Sequence, residues 1–310
     1  MGWIWLAVGG QFLNAIVAVL DKYIVSDESA IPKPFVYAFY SCLLAGVWLL
    51  IFPLGWLLGA TAFGLPQWSN VAVPSLELVA MAFFAAYAFF LALVSMFNAL
   101  KYDTPGNVMP VIGAVAAIVS LGLSYLFLDT VLTDNFLLGI VLLAIGTFLV
   151  SQAAFNWSLI LLTTHSGLFF ALNLITMKGI FEMTDFDNGF FWSRVALVLF
   201  ALSLLLVPAY IKKIRQGTEH TTVRGGTIVL LTKFCAGIAA FMLLKATDWG
   251  EVSVVQALDG LKFVFVLLIS YGVTLSSGTF SPEHHWRPKR VVRQVVYVLI
   301  IVLGFSVLFL

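Results

Sequence analysis

Two charged side chains, Asp259 and Lys262, lie near the middle of the apolar stretch VSVVQALDGLKFVFVLLIS, residues 252–270. On insertion scales, a charged residue at the centre of a membrane helix costs about 2.5–3.5 kcal/mol, so such residues commonly serve binding or proton transfer. Their i,i+3 spacing lets both side chains meet on one face of a helix. Two interpretations remain open: a buried ion pair that only packs against other helices, or a site in which Asp259 takes up a proton and Lys262 faces an anion.

Three further polar side chains in the second half of the chain are candidates for the same site. Gln256 lies one helical turn before Asp259, where it can contact a ligand or hydrogen-bond to a neighbouring helix. Lys233 and Arg194 lie closer to the starts of apolar stretches. Their long side chains can therefore either line a binding site or extend to the lipid headgroups.

The first half of the chain supplies uncharged candidates instead. Asn14 lies deep in the first apolar stretch, and Tyr40 and Tyr87 lie in the second and third. Tyrosine rings can pack against an aromatic or cationic ligand. The alternative for each tyrosine is packing or lipid contact, because aromatic residues make up 15% of the chain. Asp21 and Lys22 lie near the end of the first stretch, where they can pair with each other.

The composition determines which elements must position these residues. Of 310 residues, 62% are hydrophobic and only 10% are charged, whereas a soluble domain has about 25% charged residues. Continuous apolar runs of about 20 residues are long enough for helices that cross a bilayer. The sequence therefore predicts an all-α polytopic membrane protein with ten transmembrane helices. Their predicted limits are 3–24, 35–58, 77–100, 106–128, 135–154, 158–181, 190–211, 228–246, 251–275 and 291–310.

Three pairs of segments indicate that the chain contains a duplication. LDKYIV resembles TMKGIF, ALKYDTPGNV resembles ATDWGEVSVV, and GIVLLAIGTFLV resembles VLIIVLGFSVLF, in the same order in both halves. These pairs align Lys22 with Lys178, Tyr102 with Trp249, and Gly146 with Gly304. Since each copy has an odd number of spans, the second copy is expected to be inverted in the membrane. We expect two inverted five-helix repeats, residues 1–155 and 156–310, with a binding site between them near the bilayer midplane.

Two of these segments also resemble a known transporter group. ALKYDTPGNVMPVIGAVAAIVSLGLSYLFL, residues 99–128, and the glycine-bearing GIVLLAIGTFLV are similar to the drug/metabolite transporter superfamily, specifically its EamA-like ten-helix members. Asp129 and Thr130 stand where that family often has Gly-Glu. The resemblance implies an exporter or exchanger of small metabolites, such as amino acids or related amphiphiles, and extends over nearly the whole chain through the duplication.

We therefore expect a secondary transporter that moves small zwitterionic or amphiphilic metabolites by alternating access, with proton coupling or exchange. An anion or sugar-phosphate exchanger is one alternative, and a non-transporting scaffold or lipid-modifying protein is another. The sequence has no Walker-type glycine loop, HExxH or paired CxxC motif, so an enzyme, a cofactor and a metal are not expected. The expected partners are a small-molecule substrate, membrane lipids and, where transport is coupled, protons; no nucleic acid is expected.

Basic residues concentrate in two links between predicted spans, 212–227 and 276–290. The positive-inside rule places such links in the cytoplasm and, for the predicted span order, places both termini outside. The resemblance implies the opposite, because members of the family are usually described with both termini in the cytoplasm. In either orientation we expect an integral protein of a bacterial inner (plasma) membrane.

Overall fold

The computed structural model describes residues 2–58, 65–128, 134–150 and 157–266, together with isolated positions between 268 and 307. Every regular element in the described residues is a helix. The α-helices are α1 (Gly2–Ser26), α2 (Pro34–Leu44), α3 (Ile51–Leu58), α4 (Leu76–Tyr102), α5 (Pro105–Phe127), α6 (Asp134–Val150), α7 (Trp157–Met183), α8 (Phe186–Leu204), α9 (Pro208–Thr218), α10 (Val223–Trp249) and α11 (Val252–Ala257). Short 3₁₀ segments cover Ala45–Leu50, Trp68–Asn70 and Leu258–Gly260.

Within the described residues, six helical segments are long and apolar enough to cross a bilayer. They are Gly2–Ser26, Pro34–Leu57, Leu76–Tyr102, Pro105–Phe127, Trp157–Met183 and Val223–Trp249. The bent pair formed by α8 and α9 is a seventh if it is counted as one span. The predicted all-helical membrane fold is confirmed, and the described part of the chain contains six or seven of the ten predicted spans. The predicted span 291–310 lies mostly outside the described residues.

The predicted span 190–211 differs from the structure at its second end. Helix α8 ends at Leu204, and α9 departs from it at an angle of 98°. Val207 adopts an extended backbone (φ −98°, ψ 113°) because the following proline disfavours the helical region, and Pro208 then occupies the first turn of α9. The basic residues predicted to lie in a link are therefore carried by a short helix, namely Lys212, Lys213 and Arg215.

Helices from the two halves of the chain pack against each other in a paired arrangement. The longest contacts join α1 to α10 and α4 to α7. Gly146 and Gly304 make a reciprocal contact between α6 and the C-terminal segment. A Cβ atom added to Gly146 would lie 3.0 Å from the backbone nitrogen of Ile301, and one added to Gly304 would lie 2.8 Å from that of Leu143. Each glycine thus approaches the residue three positions before the other glycine, and only a residue without a side chain permits so close an approach.

The basic links of the first and second halves meet at one end of the molecule. Lys33 Nζ donates to the carbonyl of Gln216 over 3.3 Å, and the backbone N–H of Thr222 donates to the carbonyl of Ser29 over 2.9 Å. Lys101 Nζ reaches the same region by donating to the carbonyl of Pro32. The basic α9–α10 region and the lysines of the first half therefore share one end. The link 276–290 lies outside the described residues.

The opposite end also joins the two halves of the chain. The carboxylate of Asp187, in the first turn of α8, accepts hydrogen bonds from the backbone N–H of Gln67 (3.0 Å) and from Asn70 Nδ2 (2.8 Å). Trp192 Nε1 donates to the carbonyl of Ala72 over 3.0 Å. Residues 67–72, which precede α4, therefore contact α8, and the interior between the halves is bounded by polar contacts at both ends.

Candidate functional site

A cavity of about 240 Å³ lies between the two halves of the chain. Helices α1, α2, α4 and α5 of the first half and α7, α8, α10 and α11 of the second half contribute to its walls. Its volume is just below the roughly 300–1,000 Å³ of pockets that hold drug-sized ligands, so it suits a smaller molecule. Its polar lining residues are Gln11, Asn14, Asp21, Ser41, Asn173, Ser193, Arg194, Lys233, Gln256, Asp259 and Lys262.

Asp259 and Lys262 form an ion pair that also lines this cavity. Lys262 Nζ lies 2.7 Å from Oδ1 and 2.8 Å from Oδ2 of Asp259, and both residues are buried. The helix tightens to a 3₁₀ turn at Leu258–Gly260, which brings side chains at i and i+3 nearly into line. Both sequence-based interpretations therefore have a structural basis: the pair neutralises itself, and it is placed where a ligand would contact it.

A second ion pair connects α1 to α10. Lys233 Nζ lies 3.2 Å from Oδ1 of Asp21, and the hydroxyl of Tyr37 donates a short hydrogen bond to the same oxygen. The lysine also lies 3.9 Å from the centroid of the Tyr37 ring. Lys233 therefore points into the protein and pairs with a carboxylate of the other half. The suggested pairing of Asp21 with Lys22 is wrong, because Lys22 turns away to the carbonyl of Leu100.

Lys22 and Lys178, which the predicted duplication aligns, make corresponding contacts. Lys22 Nζ donates to the carbonyl of Leu100 over 2.7 Å, near the end of α4. Lys178 Nζ donates to the carbonyl of Asp248 over 3.0 Å, near the end of α10. A cation is stabilised at a helix C-terminus by the helix dipole and by carbonyls that lack partners within the helix. Neither lysine lines the cavity.

Arg194 presents an unpaired cation to the cavity. It lies in the middle of α8 and is only 8% exposed. Its guanidinium packs over the ring of Phe190, with Cζ 4.9 Å from the centroid. Among the described residues it makes no ion pair and no hydrogen bond, and its Nε is buried without a partner. A guanidinium in this state can form two parallel hydrogen bonds to a carboxylate or phosphate.

The uncharged candidates divide between the cavity and the outer surface. Asn14 and Gln256 line the cavity, and Gln256 Nε2 makes only a long contact of 3.5 Å to the carbonyl of Phe170. The two tyrosines are not among the lining residues. Tyr40 packs against Phe39 with ring centroids 5.1 Å apart, and Tyr87 is 46% exposed on the outside of α4.

Two further lining residues lie outside the set that the sequence predicted to bind substrate. Gln11, whose Oε1 is buried without a partner, lines the cavity beside Asn14. Trp48 lines it from the 3₁₀ segment after α2. Its indole rests on Gly237, where a Cβ atom would come within 1.5 Å of Nε1. Gly237 belongs to the small-residue stretch CAGIAA of α10, and its lack of a side chain makes room for this aromatic wall.

Comparison with known proteins bears on this arrangement in three ways. The model of the EamA-like transporter family matches residues 1–152, which confirms the resemblance over the first half of the chain. A solved structure described only as "Crystal structure of protein" has a similar fold, with a TM-score of 0.65 and 15% sequence identity, over 99% of this chain and 96% of that chain. That identity supports similarity of fold alone. No curated protein matches the sequence significantly.

Proposed function

We propose that this chain is a secondary transporter of a small amphiphilic metabolite. Residues 1–152 belong to the EamA-like transporter family, which is part of the drug/metabolite transporter superfamily. The observation that carries the proposal is the cavity between the two halves, whose described lining includes five charged side chains. Burying charge inside a membrane protein is unfavourable unless the charges pair or serve a ligand or ion pathway. A cavity of this kind is what a transporter of polar cargo requires.

We further propose that the chain has ten spans arranged as two inverted five-helix repeats, residues 1–155 and 156–310. The reciprocal approach of Gly146 and Gly304 supports this arrangement, because a two-fold relation between repeats pairs equivalent residues in this way. The matched contacts of Lys22 and Lys178 with helix ends support it independently. The same two-fold relation would place α1 on α7 and α10 on α4, so it would convert the α1–α10 contact into the α7–α4 contact. The presence of both contacts is a third support.

Alternating access in this architecture requires contacts between the halves to break and form again at each end. The hydrogen bonds of Asp187 at one end and those of Lys33 and Thr222 at the other are suited to that role, because each joins surface segments of different halves. Such contacts exchange with water at little cost. The basic end, with the links 212–227 and 276–290, would face the cytoplasm of a bacterial cell.

Exchange in proteoliposomes tests the proposal. Proteoliposomes that contain the purified protein would be loaded with a panel of unlabelled organic acids and amino acids. Counterflow of labelled compounds would then be measured with and without a pH gradient. Ala240→Trp would fill the cavity that Ala240 lines, whereas Leu230→Trp places the same side chain on the outer face of α10, where Leu230 is exposed. We expect exchange that Ala240→Trp abolishes and Leu230→Trp preserves. Absence of exchange for every compound would favour a scaffold or lipid-modifying protein.

A further inference from the structure

We propose that the cavity selects a ligand with one anionic group and no cationic group, and that Arg194 binds the anion. This inference rests on the proposed transport function and narrows its substrate to a small amphiphilic monoanion, of which a monocarboxylate is the simplest form. It differs from the zwitterion expected from the sequence. The argument depends on which charges in the cavity are already paired.

Among the described residues, five charged side chains line the cavity, and four of them neutralise one another. Asp259 is held by Lys262 through both carboxylate oxygens, and Asp21 is held by Lys233. Arg194 is the remaining charge and has no ion pair among the described residues. The part of the lining that the structure describes therefore carries one net positive charge. An occupant with a single negative charge would neutralise it.

The surroundings of Arg194 leave its guanidinium available to bind a ligand. The residue is more than nine-tenths buried, and its Nε lacks a hydrogen-bond partner. Leaving a buried charged donor unsatisfied costs more than leaving a neutral one, so an occupied state that supplies acceptors is favoured. The hydroxyl of Ser41, which also lines the cavity, donates within α2 to the carbonyl of Tyr37 and makes no hydrogen bond to Arg194 among the described residues.

The pairing of the charges that line the cavity also disfavours a cationic group on the ligand. An ammonium group would need a free carboxylate, and the two carboxylates in the described lining, Asp21 and Asp259, already hold lysines. Breaking either buried pair would leave a lysine uncompensated, which is strongly unfavourable. Apart from six uncharged polar side chains, the rest of the described wall is apolar and aromatic, with Trp48, Phe89 and Phe170 among its members. It therefore suits an uncharged hydrophobic body attached to the anionic group.

Matched ligands test this inference on the full-length protein in nanodiscs. Two series of probes are used, and the members of each series have the same hydrophobic part but different polar groups. One series is 3-phenylpropionate, its amide and phenylalanine; the other is 4-methylpentanoate, its amide and leucine. Binding would be measured by titration calorimetry at neutral pH. Because hydrogen bonds to charged groups contribute about 1.5–3 kcal/mol, we expect the carboxylate to bind about ten- to a hundredfold more tightly than the amide and the amino acid in at least one series.

Substitutions locate the preference at Arg194. Arg194→Gln should remove the advantage of the carboxylate over the amide, and Arg194→Lys should keep only part of it, because an ammonium lacks the planar fork. Arg215→Gln, an exposed arginine on α9, is the control and should bind as the wild type does. The comparison of ligands on the wild-type protein needs no variant, so it decides the matter even where Arg194→Gln fails to fold.

The outcomes separate this inference from the proposed transport. Equal affinity for carboxylate and amide, tighter binding of the amino acid, no carboxylate binding in either series, or an unchanged preference in Arg194→Gln would each overturn the anion site. If such a result accompanies exchange in proteoliposomes, transport stands and only the substrate class is wrong. Carboxylate binding that depends on Arg194 without any exchange would support the anion site and overturn transport.

Discussion

Gly113 on α5 lies directly against the carboxylate of Asp259. A Cβ atom added to Gly113 would come within 2.7 Å of Asp259 Oδ2 and 3.5 Å of its Cγ. The ion pair of Asp259 with Lys262 is therefore packed against the backbone of the first half of the chain. Its geometry depends on a residue without a side chain at this position.

Gly113→Ala should destabilise the protein by about 1–3 kcal/mol, because the added methyl group must displace a buried carboxylate. Gly122→Ala on the same helix is the control. Gly122 has no atom within 4 Å of the added Cβ, so the better helix propensity of alanine should stabilise by about 0.5–1 kcal/mol. Thermal unfolding in detergent compares the two variants, and equal effects would contradict the close packing of Gly113.

Asp259→Asn and Lys262→Met should each destabilise the protein by about 3–5 kcal/mol, because each leaves one buried charge without its partner. The double variant should recover most of that loss, since it removes both charges. Chemical unfolding of the three variants measures this coupling. Exchange by the double variant then assigns the role of the pair: lost exchange in a stable protein indicates contact with cargo, and retained exchange indicates a purely structural pair.

Tyr37→Phe should destabilise the protein by about 1.5–3 kcal/mol, because it removes a hydrogen bond to the charged carboxylate of Asp21. The aromatic ring beneath Lys233 is kept, so the effect isolates the hydroxyl group. Tyr40→Phe is the matched control on the same helix, where no hydrogen bond involves the hydroxyl among the described residues. Unfolding midpoints should fall for Tyr37→Phe alone. A similar fall in both variants would contradict a stabilising hydrogen bond from Tyr37 to Asp21.

Gly237→Ala should push Trp48 out of its present position, since the added Cβ would lie 1.5 Å from Nε1. We expect a loss of stability of about 1–3 kcal/mol and a lower rate of exchange, because Trp48 forms part of the cavity wall. Gly226→Ala, earlier on α10, meets no atom within 4 Å and should leave exchange unchanged. Tryptophan fluorescence would report the displacement directly.

Single cysteines determine which end of the molecule faces the cytoplasm. Cys42 and Cys235 would first be replaced, because both are free thiols. Ser69→Cys and Glu219→Cys then place exposed thiols at opposite ends, the second beside the basic helix α9. A membrane-impermeant label on intact cells should modify position 69 and spare position 219, as the positive-inside rule predicts. The reverse pattern would place the basic end outside.

Local pairs could be predicted from the sequence, and distant pairs could not. Asp259 and Lys262 are three residues apart on one helix, so their contact follows from helix geometry alone. Asp21 and Lys233 are separated by 212 residues, and their contact depends on how α1 packs along α10. No pattern in either helix indicates that packing, because helices in a membrane are apolar on most faces.

The tyrosine candidates illustrate the same difficulty in another form. In a soluble helix, polar residues mark the face that contacts water, but in a membrane helix lipid and protein interior are both apolar. Tyr87 faces outward on α4, whereas Phe89 of the same helix lines the cavity. The predicted span 190–211 missed the bend between α8 and α9, although Pro208 and the charged residues after it mark the end of an apolar run in the sequence.

The repeat alignment has a consequence for how the cavity acquired its charges. It equates Asp21 with Met177 and Lys233 with Ala86, and all four residues line the cavity. In a symmetric homodimer, every mutation is inherited twice, so a new aspartate on one side brings another on the other. A fused tandem gene, as proposed for this chain, is not bound by that rule. Under the proposed repeat, one flank of the pseudo-two-fold axis gained a salt bridge while the other has a methionine and an alanine, so the two sides of the cavity differ in chemistry.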